Sequence, residues 1–188
     1  MSKIIIISGS SGSGKTTISK KLLAYDKFNL KFSISACSRK KRIGEIDGVD
    51  YRFLALTEFN AKITSHDFLE WEEVYENNFY GTLKSETEDI LNSGYNILFD
   101  VDVKGALALK NYFKQEALFI FVKPPSISVL KNRLVQRKTE DEHDLKYRMD
   151  RIDYEMSIGK QCDKVLLNDN LDIAVEDAFL LVKSFLDI

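Results

Sequence analysis

Cysteine, histidine and long apolar runs are all scarce in this chain, and each scarcity removes a class of protein. Only two of the 188 residues are cysteine, Cys37 and Cys162, and neither sits in a CxxC or Cys/His cluster. A disulfide framework is therefore excluded, and buried or half-buried thiols in a reduced compartment are expected. The two histidines, His66 and His143, lie in charged segments with no metal-ligand spacing and no nucleophile paired to them. No apolar run approaches the ~20 residues that span a bilayer. Met1-Ser2-Lys3 runs straight into Ile4-Ile5-Ile6-Ile7, which reads as a strand and not as a secretory leader, so a cytoplasmic protein is expected. Charge of one sign is also missing. The 27 basic residues face 29 acidic ones, for a formal net charge of -2. That balance argues against a dedicated nucleic-acid or anionic-membrane binder but leaves room for a local basic site. At 44% apolar and 30% charged residues, the chain has the composition of one folded domain with inserts.

The order of the segments points to an α/β protein. The Ile4–Ile7 run has the pattern of a parallel strand buried on both faces. It stops at a glycine- and serine-rich turn, and a helical pattern follows from Lys15, with Ile18, Leu22 and Leu23 on one side. Tyr95 to Phe99 leads into Asp100, and a helix is predicted from Val103 to Lys110. Leu118 to Val122 makes a third buried strand, ended by Pro124-Pro125, and Ser126 can cap the helix that follows. Val165 to Leu167 makes a fourth strand, and Ala174, Ala178, Leu181, Val182 and Phe185 stripe a closing helix. Between Phe32 and Tyr80 short aromatic or β-branched pieces alternate with charged turns, around one predicted helix at Glu58–Ile63. A small, partly antiparallel insert is expected there. Gln136 to Tyr147 is strongly charged and reads as a mobile lid, with a plain solvated helical hairpin as the alternative.

Gly9-x4-Gly14-Lys15-Thr16 satisfies the phosphate-loop pattern G-x-x-x-x-G-K-[ST] between a buried strand and a helix. Glycines let the main chain curl so that successive N–H groups point inward, and the helix N-terminus adds its positive field. Gly9, Ser10, Ser11, Gly12, Ser13, Gly14, Lys15, Thr16 and Thr17 are thus the expected triphosphate cradle. Lys15 is expected to bridge the β- and γ-phosphates, and Thr16 to offer its hydroxyl to Mg²⁺. Asp100, ending an apolar run, is the expected second holder of hydrated Mg²⁺, and Asp102 faces the same way if the strand continues.

Such a loop serves hydrolases, switches and kinases alike. Arg39, Lys40, Lys41 and Arg42 form one basic cluster in the insert, and Arg137, Arg148 and Arg151 form another around the lid. Guanidinium groups clamp phosphate oxygens bidentately, so a cluster far from the loop in sequence suggests a second phosphorylated ligand, although on composition alone such charge runs more often solvate a surface.

Here the chain resembles the guanylate kinase family along nearly its whole length. The resemblance rests on Gly9–Thr17, then Ser35-Ala36-Cys37-Ser38-Arg39-Lys40-Lys41-Arg42 with Gly44-Glu45 and Gly48-Val49-Asp50-Tyr51. It continues through Phe68-Leu69-Glu70-Trp71, Tyr80-Gly81-Thr82, Asp100-Val101-Asp102, Arg137-Lys138-Thr139-Glu140, Arg148 and Asn168-Asp169. It implies a parallel-sheet core of the P-loop NTPase type flanked by helices, a small mixed α+β nucleotide-binding insert and a helical lid. The implied division is core over 1–31, 84–135 and 151–188, GMP-binding insert over 32–83 and lid over 136–150. The implied reaction is ATP + GMP giving ADP + GDP with Mg²⁺, with dGMP as a second acceptor, no nucleic-acid or membrane partner, and a monomer or homodimer.

By the same resemblance, Arg39, Arg42, Tyr51 and Tyr80 hold the GMP phosphate, and Ser35, Glu70, Thr82 and Asp102 read guanine. Arg137 and Arg148 approach the transferred phosphate, and Asn168 lies near adenine. Chemistry agrees for Glu70, since an ionised carboxylate only accepts and can take guanine N1–H and N2–H together, whereas adenine offers it a lone pair. The chain departs from the family pattern at Ser10 (usually proline), Lys138 (usually glycine), Lys104 (usually glutamine), and Ala36 and Cys37 (usually hydroxyl residues). Rival readings are a ribose 1,5-bisphosphate phosphokinase, in which Glu70 and Thr82 have no guanine to read, and a non-catalytic phosphopeptide-binding module, against which Lys15 and Thr16 stand intact. A regulatory GTPase is weaker, because no N-K-x-D motif is present.

Overall fold

The structure, a computed structural model, describes residues 2–136, 152 and 154–188. Its centre is β1 (Ile4–Ser8), buried along its whole length. Parallel strands β7 (Asn96–Asp100) and β8 (Ala117–Lys123) pair with β1 on either side. β2 (Leu30–Phe32) and β9 (Lys164–Leu167) add the edges, giving the order β2-β7-β1-β8-β9. Alternation of side chains explains why β1 reads as an uninterrupted apolar run. Ile5 and Ile7 join Leu98, Ile120 and Val122 under α1 (Lys15–Leu23) and the closing helix α6 (Leu171–Leu186). Ile4 and Ile6 join Ile97, Phe99, Phe119 and Phe121 on the opposite face, under α4 (Val103–Phe113). Helices therefore cover both faces of a parallel sheet, as expected.

A second sheet, ordered β4-β3-β6-β5, carries the remaining strands. In it β3 (Ala36–Cys37) lies parallel to β4 (Arg52–Phe53) and antiparallel to β6 (Asn78–Leu83), which hairpins with β5 (Phe68–Tyr75). The short apolar stretches around Phe59 cannot form a large core. They cover this sheet with α2 (Leu56–Thr64), where the Phe59 ring stacks on Phe68 at 4.5 Å.

Several details differ from the sequence-based expectations. The helix expected to stop at Lys110 runs on to Phe113, and Ser126 does accept the Val129 N–H at the start of α5 (Ile127–Gln136). The strand at 164–167 is an edge: only Leu166 is buried, while Val165 and Leu167 are 56% and 53% exposed. Two elements carry no apolar run to announce them, β2, with Lys31 at its centre, and the polar helix α3 (Lys84–Asn92). Trp71 is 46% exposed on edge strand β5, leaning on Phe79, and is a weaker packing residue than its size implied. The lid expected over 136–150, with Arg137, Lys138 and Arg148, lies outside the described residues except for Gln136.

Phe119→Ala opens a void in the fully buried layer between β1 and α4 and is expected to cost about 3–5 kcal/mol, whereas Val165→Ala at the exposed edge costs under ~1 kcal/mol. Urea unfolding of both variants checks this, and equal losses would contradict the assigned core.

Candidate active site

The register Ile7↔Asp100 and Ser8↔Phe121 brings the carboxyl ends of β1, β7 and β8 to one rim, where α/β sheets gather their polar groups. The chain leaves β1 at this rim through Gly9–Gly14 and enters α1. Gly14 has φ of +95° and its Cβ position is taken by the Asn168 amide, so only glycine fits. The Ser10 and Ser13 hydroxyls are buried and unpartnered among the described residues. The first turn of α1 contains no acid and carries Lys15. A cation at the positive end of a helix is unfavourable by ~0.3–1 kcal/mol unless an anion joins it. Glycines at positive φ, two unpartnered buried hydroxyls and a helix start with no acid together suit this loop to an anion. Beside it, the Thr16 hydroxyl donates to Asp100 Oδ2 at 2.6 Å. No group of three or more His, Cys, Asp or Glu suited to a metal exists among the described residues. A hydroxyl and one carboxylate suit Mg²⁺, which keeps waters and takes its other ligands from substrate phosphates.

The second constellation is built by pairing within the small sheet. Glu70 stands opposite Thr82 and Glu72 opposite Tyr80 in the β5–β6 hairpin, so these side chains share one face. The Thr82 hydroxyl donates to Glu70 Oε1 at 2.5 Å. Glu70 Oε2 reaches α4, where a Cβ on Gly105 would lie 2.8 Å from it. Burial pushes the Glu70 carboxyl up to about 7, with the Thr82 bond only partly opposing this. Burial thus favours the protonated form over the fixed carboxylate that the family resemblance implies for reading guanine. The strand ends at Asp100 and does not continue to Asp102. Asp102 is the N-cap of α4, accepting the Gly105 N–H at 2.8 Å. Burial, then the neighbouring Glu72 and Glu70 carboxylates, raise its pKa well above the usual carboxylate range. Lys104, the departure from glutamine, donates to Glu72 at 2.7 Å and brings one positive charge to this acidic cluster.

Arg39 is already heavily engaged. It donates to both oxygens of Glu45 at 2.7 and 2.6 Å, to the Lys40 carbonyl, and through Nε to the Tyr80 hydroxyl at 3.0 Å. Its guanidinium also lies over the Tyr51 ring, 4.9 Å from the centroid. The Arg39 pair, joined by the Arg42 N–H, holds the Glu45 carboxyl down to about 2. Arg42 itself is exposed, and Ser35 stands just before β3 with its carbonyl accepting the Arg52 N–H. The family resemblance includes Glu45 without implying a role for it. The signal was its position three residues after Arg42, within reach of a loop that brings two arginines together. Glu72 was missed too, although its i+2 spacing from Glu70 puts it on the same face of the strand. Burial raises the Cys37 thiol to about 11, which makes it a packing group.

The guanylate kinase family model matches residues 1–186. The chain belongs to the guanylate kinase family. A guanylate kinase of Salinibacter ruber is 47% identical over 183 residues, 97% of this chain and 96% of that one. One from Bacteroides fragilis is 46% identical over 186 residues, 99% and 91% of the two chains. The solved guanylate kinase of Anaplasma phagocytophilum, at 24% identity, shares the fold with a TM-score of 0.77, covering 97% of this chain and 85% of that chain. This guanylate-kinase-family chain thus places Thr16 against Asp100, Glu70 against Thr82 and Arg39 against Tyr80. Arg137 and Arg148 fall outside the described residues.

Glu70 gives a pH dependence with a definite sign. Its folded pKa of about 7 exceeds the ordinary 4.5. Its contribution to stability is therefore fully present below about 4.5 and is lost as pH rises through about 7. Urea unfolding at about pH 5 and about pH 8 is expected to show wild type losing ~2 kcal/mol more than Glu70→Gln. Parallel losses in the two proteins would contradict the buried-carboxyl assignment.

Proposed function

We propose that this chain transfers the γ-phosphoryl group of ATP to GMP, giving ADP and GDP, with dGMP as a second acceptor. The observation that carries the reading is the Thr82–Glu70 pair beside Asp102, an acceptor-rich pocket that suits guanine N1–H and N2–H and has no use in a kinase for sugar phosphates. In this reading GMP occupies the face bounded by Ser35, Arg39, Arg42, Tyr51, Glu70, Tyr80, Thr82 and Asp102. ATP lies along Gly9–Thr17, with Asn168 beside it. Membership of the family and intact Lys15 and Thr16 support catalysis over a phosphopeptide-binding role.

A phosphate oxygen of GMP attacks the γ-phosphorus, the bond from that phosphorus to the β-bridging oxygen breaks, and ADP leaves. The GMP oxygen is already ionised, so no strong base is required. Lys15 and the loop N–H groups stabilise the equatorial oxygens, while Arg39 and Arg42 hold the acceptor phosphate in line. Thr16 with Asp100 would hold Mg²⁺, which would supply positive charge to the triphosphate. Arg137 and Arg148 belong to the proposal through the family resemblance, as groups that close on the transferred phosphate. Because Arg39 spends four of its five N–H donors within the protein, its share is one N–H and its charge, and Arg42 supplies more of the direct phosphate contact. Guanine N–H donors favour the ionised Glu70, so GMP binding draws its pKa back down. No helix among the described residues is long and apolar enough to cross a membrane.

A coupled ADP-release assay with GMP, dGMP, AMP and ribose 1,5-bisphosphate tests the reading. Strong preference for the guanine nucleotides is expected, with Glu70→Gln losing both rate and discrimination. Lys15→Ala should lower kcat on the order of 10²-fold or more. Equal turnover of AMP would overturn the guanine assignment, and near-normal turnover by Lys15→Ala would remove the loop from the mechanism.

A further inference from the structure

Asn168 follows β9 at the same rim, 155 residues from the loop it touches. It is 4% exposed, and its Nδ2–H donates to the Ser13 carbonyl at 2.7 Å. Its own backbone N–H is fixed on the Lys123 carbonyl at 2.8 Å, so the side chain projects from a rigid strand end. The same Nδ2 fills the space where residue 14 would carry a Cβ.

A trans peptide unit points its C=O and its N–H in opposite directions. Holding the Ser13 oxygen on Asn168 therefore turns the Gly14 N–H the other way. That N–H opens the series formed with Lys15 and Thr16 at the start of α1, where helix geometry provides no intrahelical acceptor. Were the Ser13–Gly14 unit to flip, a carbonyl oxygen would enter the anion cradle and a donor would leave it. Gly14 makes such a flip sterically easy, because glycine occupies both signs of φ at low cost. A loop that needs glycine to bend thus needs a separate restraint to keep one orientation.

We infer that Asn168 is a positioning residue for the phosphate loop: by holding the Ser13 carbonyl it keeps the Gly14 N–H aimed at the bound phosphates. The inference rests on the loop being the triphosphate site and deepens that reading, assigning Asn168 to the triphosphate in addition to its place near the base. Recognition through the loop depends on phosphate alone. Recognition through adenine depends on the base. The two are separable with a ligand that has no base.

The experiment is calorimetric titration of the full chain with inorganic tripolyphosphate and with ATP, each with Mg²⁺, alongside KM for GMP. Wild type is compared with Asn168→Ala and with Asn168→Asp, which keeps the shape should the alanine variant not fold. Tripolyphosphate and ATP affinities are expected to fall together, about tenfold for Asn168→Ala, the scale of one hydrogen bond. For Asn168→Asp a larger fall is expected, on the order of a hundredfold, since two oxygens then face each other. KM for GMP should stay within about twofold. Loss of ATP affinity with tripolyphosphate unchanged would overturn the inference in favour of adenine contact, and unchanged affinity for both would overturn it outright. A matching rise in KM for GMP would show general loosening and also overturn it. Failure of wild type to bind tripolyphosphate would instead remove the loop reading underneath.

Discussion

The pairing of β1 on both sides is the constraint from which the site follows. A strand hydrogen-bonded to β7 and β8, with helices on both faces, has nowhere to end except at the sheet's rim. The chain must then turn sharply, and the glycines of the following loop let it do so while leaving N–H groups free to face an anion. The same register sets Asp100 one strand away, close enough for Thr16 to bond it. Ser8 completes the junction by donating to the Val101 carbonyl, which fixes how β7 leads into Asp102 and α4.

Electrostatics then divides the molecule by place while the total stays near zero. The loop side has an unneutralised helix end and Lys15. Glu70 and Glu72 on β5 meet Asp102 at the start of α4, and burial favours the protonated form of Glu70 and Asp102. Such groups are costly to the empty protein and are relieved when a ligand brings N–H donors. Arg39 shows the opposite arrangement, since Glu45 supplies its countercharge before any phosphate arrives. Four of the five Arg39 N–H donors are thereby already engaged within the protein.

Much of this was legible in the residues. The Ile4–Ile7 run, the loop pattern after it and the apolar stretches at 95–99 and 118–122 point to the sheet and its rim, because burial on both faces leaves a continuous apolar pattern. The short strand β2 and the polar helix α3 were not legible, since long-range pairing and one-sided packing maintain them without a local apolar signal. Glu70 and Thr82 were named through resemblance, but their mutual hydrogen bond depends on hairpin register, which a β-bulge between Phe68 and Glu70 shifts. Spacing leaves open whether the strand continues to Asp102; it does not, and Asp102 caps α4 instead. The bond from Asn168 to Ser13 spans nearly the whole chain and no spacing rule reaches it.

The proposed reaction requires that two nucleotides bind together so that a phosphoryl group passes between them and not to water. Phosphorus NMR of the full chain with ATP, GMP and Mg²⁺ tests this most directly. Resonances of ADP and GDP are expected to grow in equal amounts, with inorganic phosphate absent. Phosphate appearing in step with ADP would make the protein a hydrolase and contradict the account.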